Sequence, residues 1–314
     1  MHGIDIVSAW PLPGARRVDR TDEVWSIVEG TGERPDAGAT GDCVMQDESF
    51  GRVQAEAYSV GREFLFRAPT VCTALIDPIQ RYVRVWPEDA DREMFIPLVL
   101  QGALAAFLVD LCGAVAMHAS AVEVDGRAVL FAGVSGQGKS TTAVMAVDGG
   151  ARFFSDDVAR VEVSADVVPV AYRGTVEARL RPAAEATGAS RAVGVATRLT
   201  SDGRTAVTLD DGGADVLPIG AIVLPRPDRA AMHCTVTRLG PEEAFVELHR
   251  CLRLPGWIDP AIRLRRFDRL GEITERVAVL RAYIPWQLPF AREAGAALVH
   301  AIDAACGRRA RSLL

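Results

Sequence analysis

Over the first 92 residues apolar and polar side chains alternate in short runs rich in β-branched and aromatic residues. Stretches 23–29, 52–60, 63–67, 71–76 and 81–86 each carry the period of two that predicts half-buried strands. Gly61, Pro69, Asp77-Pro78 and Pro87 punctuate them as turns do, and the Gly-, Asp- and Pro-rich stretch 31–42 predicts an exposed loop. The pattern then lengthens into a predicted helix over 91–113. Its apolar stretch, 95–117, is long enough to span a bilayer, but Pro97, Gln101 and Asp110 interrupt it. A buried helix running into a strand is the expected reading, with no membrane partner.

From residue 118 onward strands and helices intermix. Strands 121–124 and 128–132 flank Asp125-Gly126, a strong hairpin signal. A helix over 142–147 should stop at Gly149-Gly150, where glycine favours a left-handed C-cap. Further strands are predicted at 152–155, 158–163, 205–209, 220–224 and 233–239, and helices at 241–254, 270–282 and 289–306. The tail 308–314 should fray. No internal repeat is visible. The chain thus reads as α/β in two domains, a smaller β-rich one over 1–92 and a mixed one over 93–314.

At 314 residues, 49% of them hydrophobic and 24% charged, the chain can bury a sizeable core, as a soluble globular protein does. A net charge of −6 argues against a general nucleic-acid-binding surface. The six cysteines form no C-x-x-C pair and no zinc spacing, which suits thiols in a reducing cytoplasm, and no signal peptide is apparent.

The sharpest chemical signal is the run Gly133, Val134, Ser135, Gly136, Gln137, Gly138, Lys139, Ser140, Thr141, which fits G-x-x-x-x-G-K-[ST]. A predicted strand before it and a helix after it supply the order such a phosphate-binding loop needs. Its glycines would let backbone N–H groups converge on anionic oxygens at a helix N-terminus. Lys139 would reach the β- and γ-phosphates of ATP, and Ser140 would offer its hydroxyl to Mg²⁺.

Asp156-Asp157 follow after one helix, a turn and a short strand, so their carboxylates can return beside the phosphates. One acid would orient Mg²⁺ while the other accepts a proton from an attacking hydroxyl; an exposed acidic turn is the alternative. His118 precedes a strand expected beside the loop strand, where an imidazole can bond a phosphate or an acid, or serve a structural role.

Three segments together, His118-Ala119-Ser120-Ala121-Val122, the stretch from Leu130 to Thr141, and Phe154-Ser155-Asp156-Asp157, resemble the catalytic domain of HPr kinase/phosphorylase. They are more closely similar to the HPr-kinase-related proteins of bacterial peptide-tailoring clusters. The resemblance spans roughly 93–300 and is specific between 118 and 160. It implies a P-loop kinase domain resembling HPr kinase and phosphoenolpyruvate carboxykinase, transferring the ATP γ-phosphoryl group to a serine hydroxyl. By the same resemblance Lys139 is the phosphate-binding lysine, Ser140 the Mg²⁺-binding serine, His118 the active-site histidine and Asp157 the proton acceptor. Glu177-Ala178-Arg179-Leu180 is the nearest echo of the family's Glu-Ile-Arg-Gly signature, which makes Glu177 a candidate metal ligand beside Ser140 and Asp156; a surface ion-pairing acid is the competing reading. The later arginine loop associated with phosphorolysis has no counterpart here.

The implied acceptor is therefore a serine of a peptide or protein, such as a ribosomally made lasso-type precursor, rather than HPr. Free serine or another small alcohol stays open, as does a non-catalytic ATP-binding regulatory module. An enzyme of the phosphoenolpyruvate carboxykinase type lacks a recognisable second-metal signature. The cluster Arg250, Arg253, Arg263, Arg265, Arg266 and Arg269 is either a site for an acidic ligand or a solvated helical face. The resemblance also allows a homo-oligomer.

Overall fold

Alternation in the first part of the chain builds a seven-stranded sheet. Its strands are β1 (Asp5–Ser8), β2 (Val24–Glu29), β3 (Asp42–Ser49), β4 (Arg52–Val60), β5 (Glu63–Ala68), β6 (Cys72–Asp77) and β7 (Tyr82–Pro87), in the order β1-β2-β7-β6-β5-β4-β3. β2 runs parallel to β1 and to β7, and the remaining pairs are antiparallel. This computed structural model describes residues 1–16, 24–36, 41–49, 51–165, 167–181, 196–209, 212–287, 290–291 and 293–307. The tail 308–314, expected to fray, lies outside them, as does part of the expected loop 31–42.

The long apolar stretch becomes one continuous helical segment, α1 (Ala90–Leu111), with a π-helical turn at Leu100–Leu104. It is long and apolar enough to cross a membrane, yet 56% of its most apolar window is buried inside the protein. Leu100, Leu104 and Phe107 pack against Phe66, Ala74, Ile76, Val83 and Val85 of the first sheet. Leu254, Trp257 and Ile262 from the far end of the chain join the same core. The Trp257 ring stacks on Phe107 at 4.9 Å, and its Nε1 donates to the buried Asp110 carboxylate at 2.8 Å.

The rest of the chain is mixed α/β. β8 (Val115–Met117), β9 (Ala119–Val124), β10 (Arg127–Ala132), β11 (Arg152–Ser155), β12 (Ala159–Ser164), β13 (Val167–Tyr172), β17 (Val216–Asp228), β18 (Thr235–Arg238) and β19 (Val279–Pro285) make a nine-stranded sheet. Between them, β14 (Glu177–Leu180), β15 (Thr197–Leu199) and β16 (Thr205–Thr208) form a three-stranded sheet. The predicted hairpin is present: Asp125 and Gly126 both have positive φ, the twist a two-residue turn between β9 and β10 needs. α2 (Lys139–Asp148) ends at Gly149, and Gly150 takes φ +99° beyond it. β10, β17 and β19 run parallel, so Ala132, Asp228 and Pro285 end on the same side of the sheet.

One expectation is overturned outright. The helix predicted over 270–282 is instead the end of α4 (Pro260–Arg276), which follows α3 (Pro241–Arg250), and then the strand β19. Asp259 caps α4 by accepting from the Ile262 N–H at 3.0 Å, with Pro260 in the first turn. Ile262, Arg266, Leu270 and Ile273 fall on its buried side. The run after Arg276 is β-branched and aromatic, and it fills the open edge of β17. The last helix, α5 (Ala294–Ala305), starts later than the predicted 289. β13 escaped prediction because it contains Pro169; the pairing of β12 and β13 shifts register there, and a bulge spares the missing N–H.

Trp257 is the test of how strongly the two ends of the chain are joined. Trp257→Ala should cost about 3–5 kcal/mol in urea unfolding. Trp257→Phe keeps a ring but strips a donor from the buried Asp110, and should cost about 1–3 kcal/mol. A neutral result for both would remove this contact from the core's stability.

Candidate functional site

The glycine loop joins β10 to α2, and the sequence explains its shape locally. Gly136 and Gly138 take φ of +89° and +78°, which a side chain resists. The Gln137 side chain turns back to accept from the Val134 N–H at 2.8 Å, and the Gly133 N–H donates to the His118 carbonyl at 3.2 Å. No side chain caps the N-terminus of α2, so its first-turn N–H groups face the space enclosed by the loop. The Lys139 ammonium donates to the Val134 carbonyl at 3.0 Å; burial lowers its pKa to about 8, against the pull of Asp157 and Asp156.

β11 delivers the acidic pair to this loop. Asp156 Oδ1 accepts from Ser140 Oγ at 2.8 Å and from Ser120 Oγ at 2.5 Å, and its Oδ2 accepts from the Arg179 N–H at 2.9 Å. Asp157 sits at φ +68°, and the Val158 N–H donates to the Asp156 carbonyl at 2.9 Å across it. This is the rare positive-φ form of the γ-turn, a strained conformation of the kind found at functional sites. Ser155 Oγ donates to the Val158 carbonyl and Thr175 Oγ1 to the Asp156 carbonyl, which pin the turn.

The turn points the Asp157 carboxylate into a cluster of donors. Oδ2 lies 2.9 Å from Arg179 Nη2 and 3.2 Å from Arg253 Nη2, while Oδ1 lies 3.3 Å from His118 Nε2. Burial alone would raise its pKa, but Arg253, Arg179 and the His118 hydrogen bond outweigh it and hold the carboxyl well below the usual range. Burial lowers the His118 pKa despite Asp157, so the imidazole is neutral at pH 7 and its Nε2–H donates to the carboxylate. The helix α1 passes at Gly102, where an added Cβ would lie 3.2 Å from both Arg253 Nη2 and Asp157 Oδ2. That glycine falls in the π-helical turn, which brings bare backbone against the ion pair.

His118, Ser135, Gly136, Gly138, Lys139, Ser140, Thr141, Asp156 and Asp157 thus line one cleft of about 300 Å³. Glu177 is not brought into it. Its carboxylate takes both Nε and Nη2 of Arg198, at 3.2 and 2.5 Å, and lines a small cavity on the far side of Asp157. Among the described residues no three His, Cys, Asp or Glu side chains cluster as a metal site. The expected basic cluster divides. Arg253 joins Asp157, Arg265 and Arg266 turn to Asp110, and Arg269 pairs with Glu272 at 3.1 Å.

Arg179, Arg181, Arg204, Arg229 and Trp286 complete the cleft wall, and none was singled out as a site residue in the sequence. Arg179 and Arg181 carried one usable signal: Arg179 lies in β14 and Arg181 follows its end, at the i, i+2 spacing of residues that share the face of an extended chain. Arg204 and Arg229 come from turns and carried none. Cationic side chains, uncapped helix N–H groups and a Ser–Asp pair suit a phosphate-rich anion with a divalent cation.

No family model matches the sequence, and no curated protein matches it either. Among solved structures, the Hpr(Ser) kinase/phosphatase from Coxiella burnetii aligns with 40% of this chain and 70% of its own, at 13% identity and a TM-score of 0.24. Similarity at that level carries no statement about fold or chemistry.

Beneath the acidic turn lies His2. Its ring is packed against Ser155 and Gly174, 1% exposed, with neither ring nitrogen hydrogen-bonded among the described residues. Burial, reinforced by the terminal ammonium, lowers its pKa from 6.5 to about 3. Between those values the unfolded chain binds the extra proton, so stability is intact above about 6.5 and declines as pH falls toward 3. Denaturant unfolding across this range should show that decline, with His118 adding to its upper part, and His2→Gln should flatten it. An unchanged slope in the variant would count against a neutral buried His2.

Proposed function

We propose that this protein is an ATP- and Mg²⁺-dependent phosphotransferase that moves the γ-phosphoryl group to a serine hydroxyl of a peptide or protein. The observation that carries the reading is the Ser140–Asp156 hydrogen bond at 2.8 Å. It joins the hydroxyl at the head of the glycine loop to a carboxylate from the next strand, the pair by which P-loop enzymes hold their metal. Both are hard oxygen donors that suit Mg²⁺, and they would hold it here. Bound there, Mg²⁺ would neutralise charge on the phosphoryl oxygens. Glu177 stays outside this set because Arg198 occupies both its oxygens.

In this reading Lys139 and the loop amides bind the triphosphate, and Arg179, Arg181, Arg204 and Arg229 surround its charge. Asp157, ionised and aimed by His118, orients the acceptor hydroxyl and takes its proton. The peptide acceptor rests on the resemblance to the kinases of peptide-tailoring clusters, and a cytoplasmic setting on the scattered spacing of the six cysteines. The rival reading, an ATP-binding regulatory module, draws on one observation: Arg179, Arg253 and His118 already occupy the Asp157 carboxylate.

Nucleotide binding tests the site that both readings share, and transfer to an acceptor separates them. Mg-ATP at about 100 times its dissociation constant should stabilise the native state by roughly 2.7 kcal/mol, seen as a rise in Tm that Lys139→Ala abolishes. Equal shifts in both proteins would place the nucleotide elsewhere. With HPr, free serine and the serine-containing peptide encoded nearest the gene as acceptors, mass spectrometry should find one added phosphate on the peptide. Asp157→Asn should still bind ATP while transfer falls by about 10²–10⁴-fold. Nucleotide binding with no phosphate on any acceptor would favour the regulatory module.

A further inference from the structure

Trp286 stands where the cleft meets the end of the parallel strands, and no step of the proposed transfer uses it. It follows directly on β19, just as Arg229 follows β17 and the glycine loop follows β10. Ligands of α/β sheets bind beyond such carboxyl ends. The indole is half-buried, and its backbone and ring are both held. Its backbone N–H donates to the Asp228 carbonyl at 2.8 Å, Phe290 meets the ring edge-on at 5.0 Å, and Gly138 lies beneath it. A Cβ on Gly138 would come within 2.8 Å of the ring and 3.2 Å of Pro227, so the closeness of indole and loop depends on that glycine. The result is an aromatic surface beside the last glycine of the loop, within the wall of the same cleft.

We propose that Trp286 is the stacking platform for the nucleobase of the nucleoside triphosphate whose phosphates the glycine loop holds. This rests on the reading of that loop as a nucleotide site. An aromatic ring suits a base because any base offers a π-face, and stacking does not depend on hydrogen-bond readout. Prior fixation by Phe290 and Asp228 reduces the ordering cost of the contact. The competing role is structural: a wedge that only supports Gly138.

Inorganic tripolyphosphate, which has the phosphates and no base, distinguishes the two. With Mg²⁺ present, Trp286→Ala should weaken ATP binding by about 5- to 100-fold and leave tripolyphosphate binding within about twofold of the parent protein. ATP should quench tryptophan fluorescence where tripolyphosphate does not, and Trp286→Phe should lose that quenching while keeping most of the ATP affinity. Equal weakening of both ligands by Trp286→Ala would make the ring a structural wedge, and unchanged ATP affinity would place the base elsewhere; either overturns the proposal. If the parent protein binds neither ligand, the reading of the loop itself fails as well.

Discussion

A carboxylate withdrawn from water must be compensated by charge and hydrogen bonds at close range, and Asp157 meets this demand with groups from distant parts of the chain. His118 comes from the junction of β8 and β9, Arg179 from β14, and Arg253 from the stretch after α3. Gly102 of α1 leaves the space in which the ion pair fits. Taking away one partner would strand another charge in a poorly hydrated site, so these four segments are held to one arrangement. The strained turn at Asp157 persists because they over-determine it.

That arrangement also couples the two regions of the chain. The helix whose backbone abuts the ion pair is the same helix that packs its Leu100, Leu104 and Phe107 against the first sheet. At its end, Asp110 is buried and receives the Trp257 N–H, and Trp257 follows Arg253 by one short turn. The segment 253–257 therefore contributes at one end to the cleft and at the other to the core beneath the first sheet.

Much of the cleft was legible as a string of letters. The glycine loop is a local device: its conformation follows from glycines at fixed offsets and a helix that begins at once, so its residues are contiguous. Asp156 and Asp157 were legible at one remove, because a helix and a return strand, which runs parallel to β10 on the far side of β9, carry the chain back to the loop. Glu177 was read from a sequence echo, and in the structure Arg198 draws its carboxylate away from the cleft. Arg204, Arg229 and Trp286 carry no local pattern. They reach the cleft from turns and strand ends that come together only when β16, β17 and β19 find their places.

By itself the sequence determined the elements whose cause is short-range. These are β2 and β4 to β7 of the first sheet, the Asp125-Gly126 hairpin, the glycine loop and the glycine stop after α2. Each depends on backbone preference or on periodicity within a single stretch. Tertiary structure decided the rest. The apolar run after Arg276 is compatible with helix or strand, and the open edge of β17 made it a strand. The stretch 95–117 is apolar enough for a membrane, and the first sheet made it a core helix. The arginines clustered late in the chain were dispersed to Asp157, Asp110 and Glu272, because a charge finds its partner through space and not along the chain.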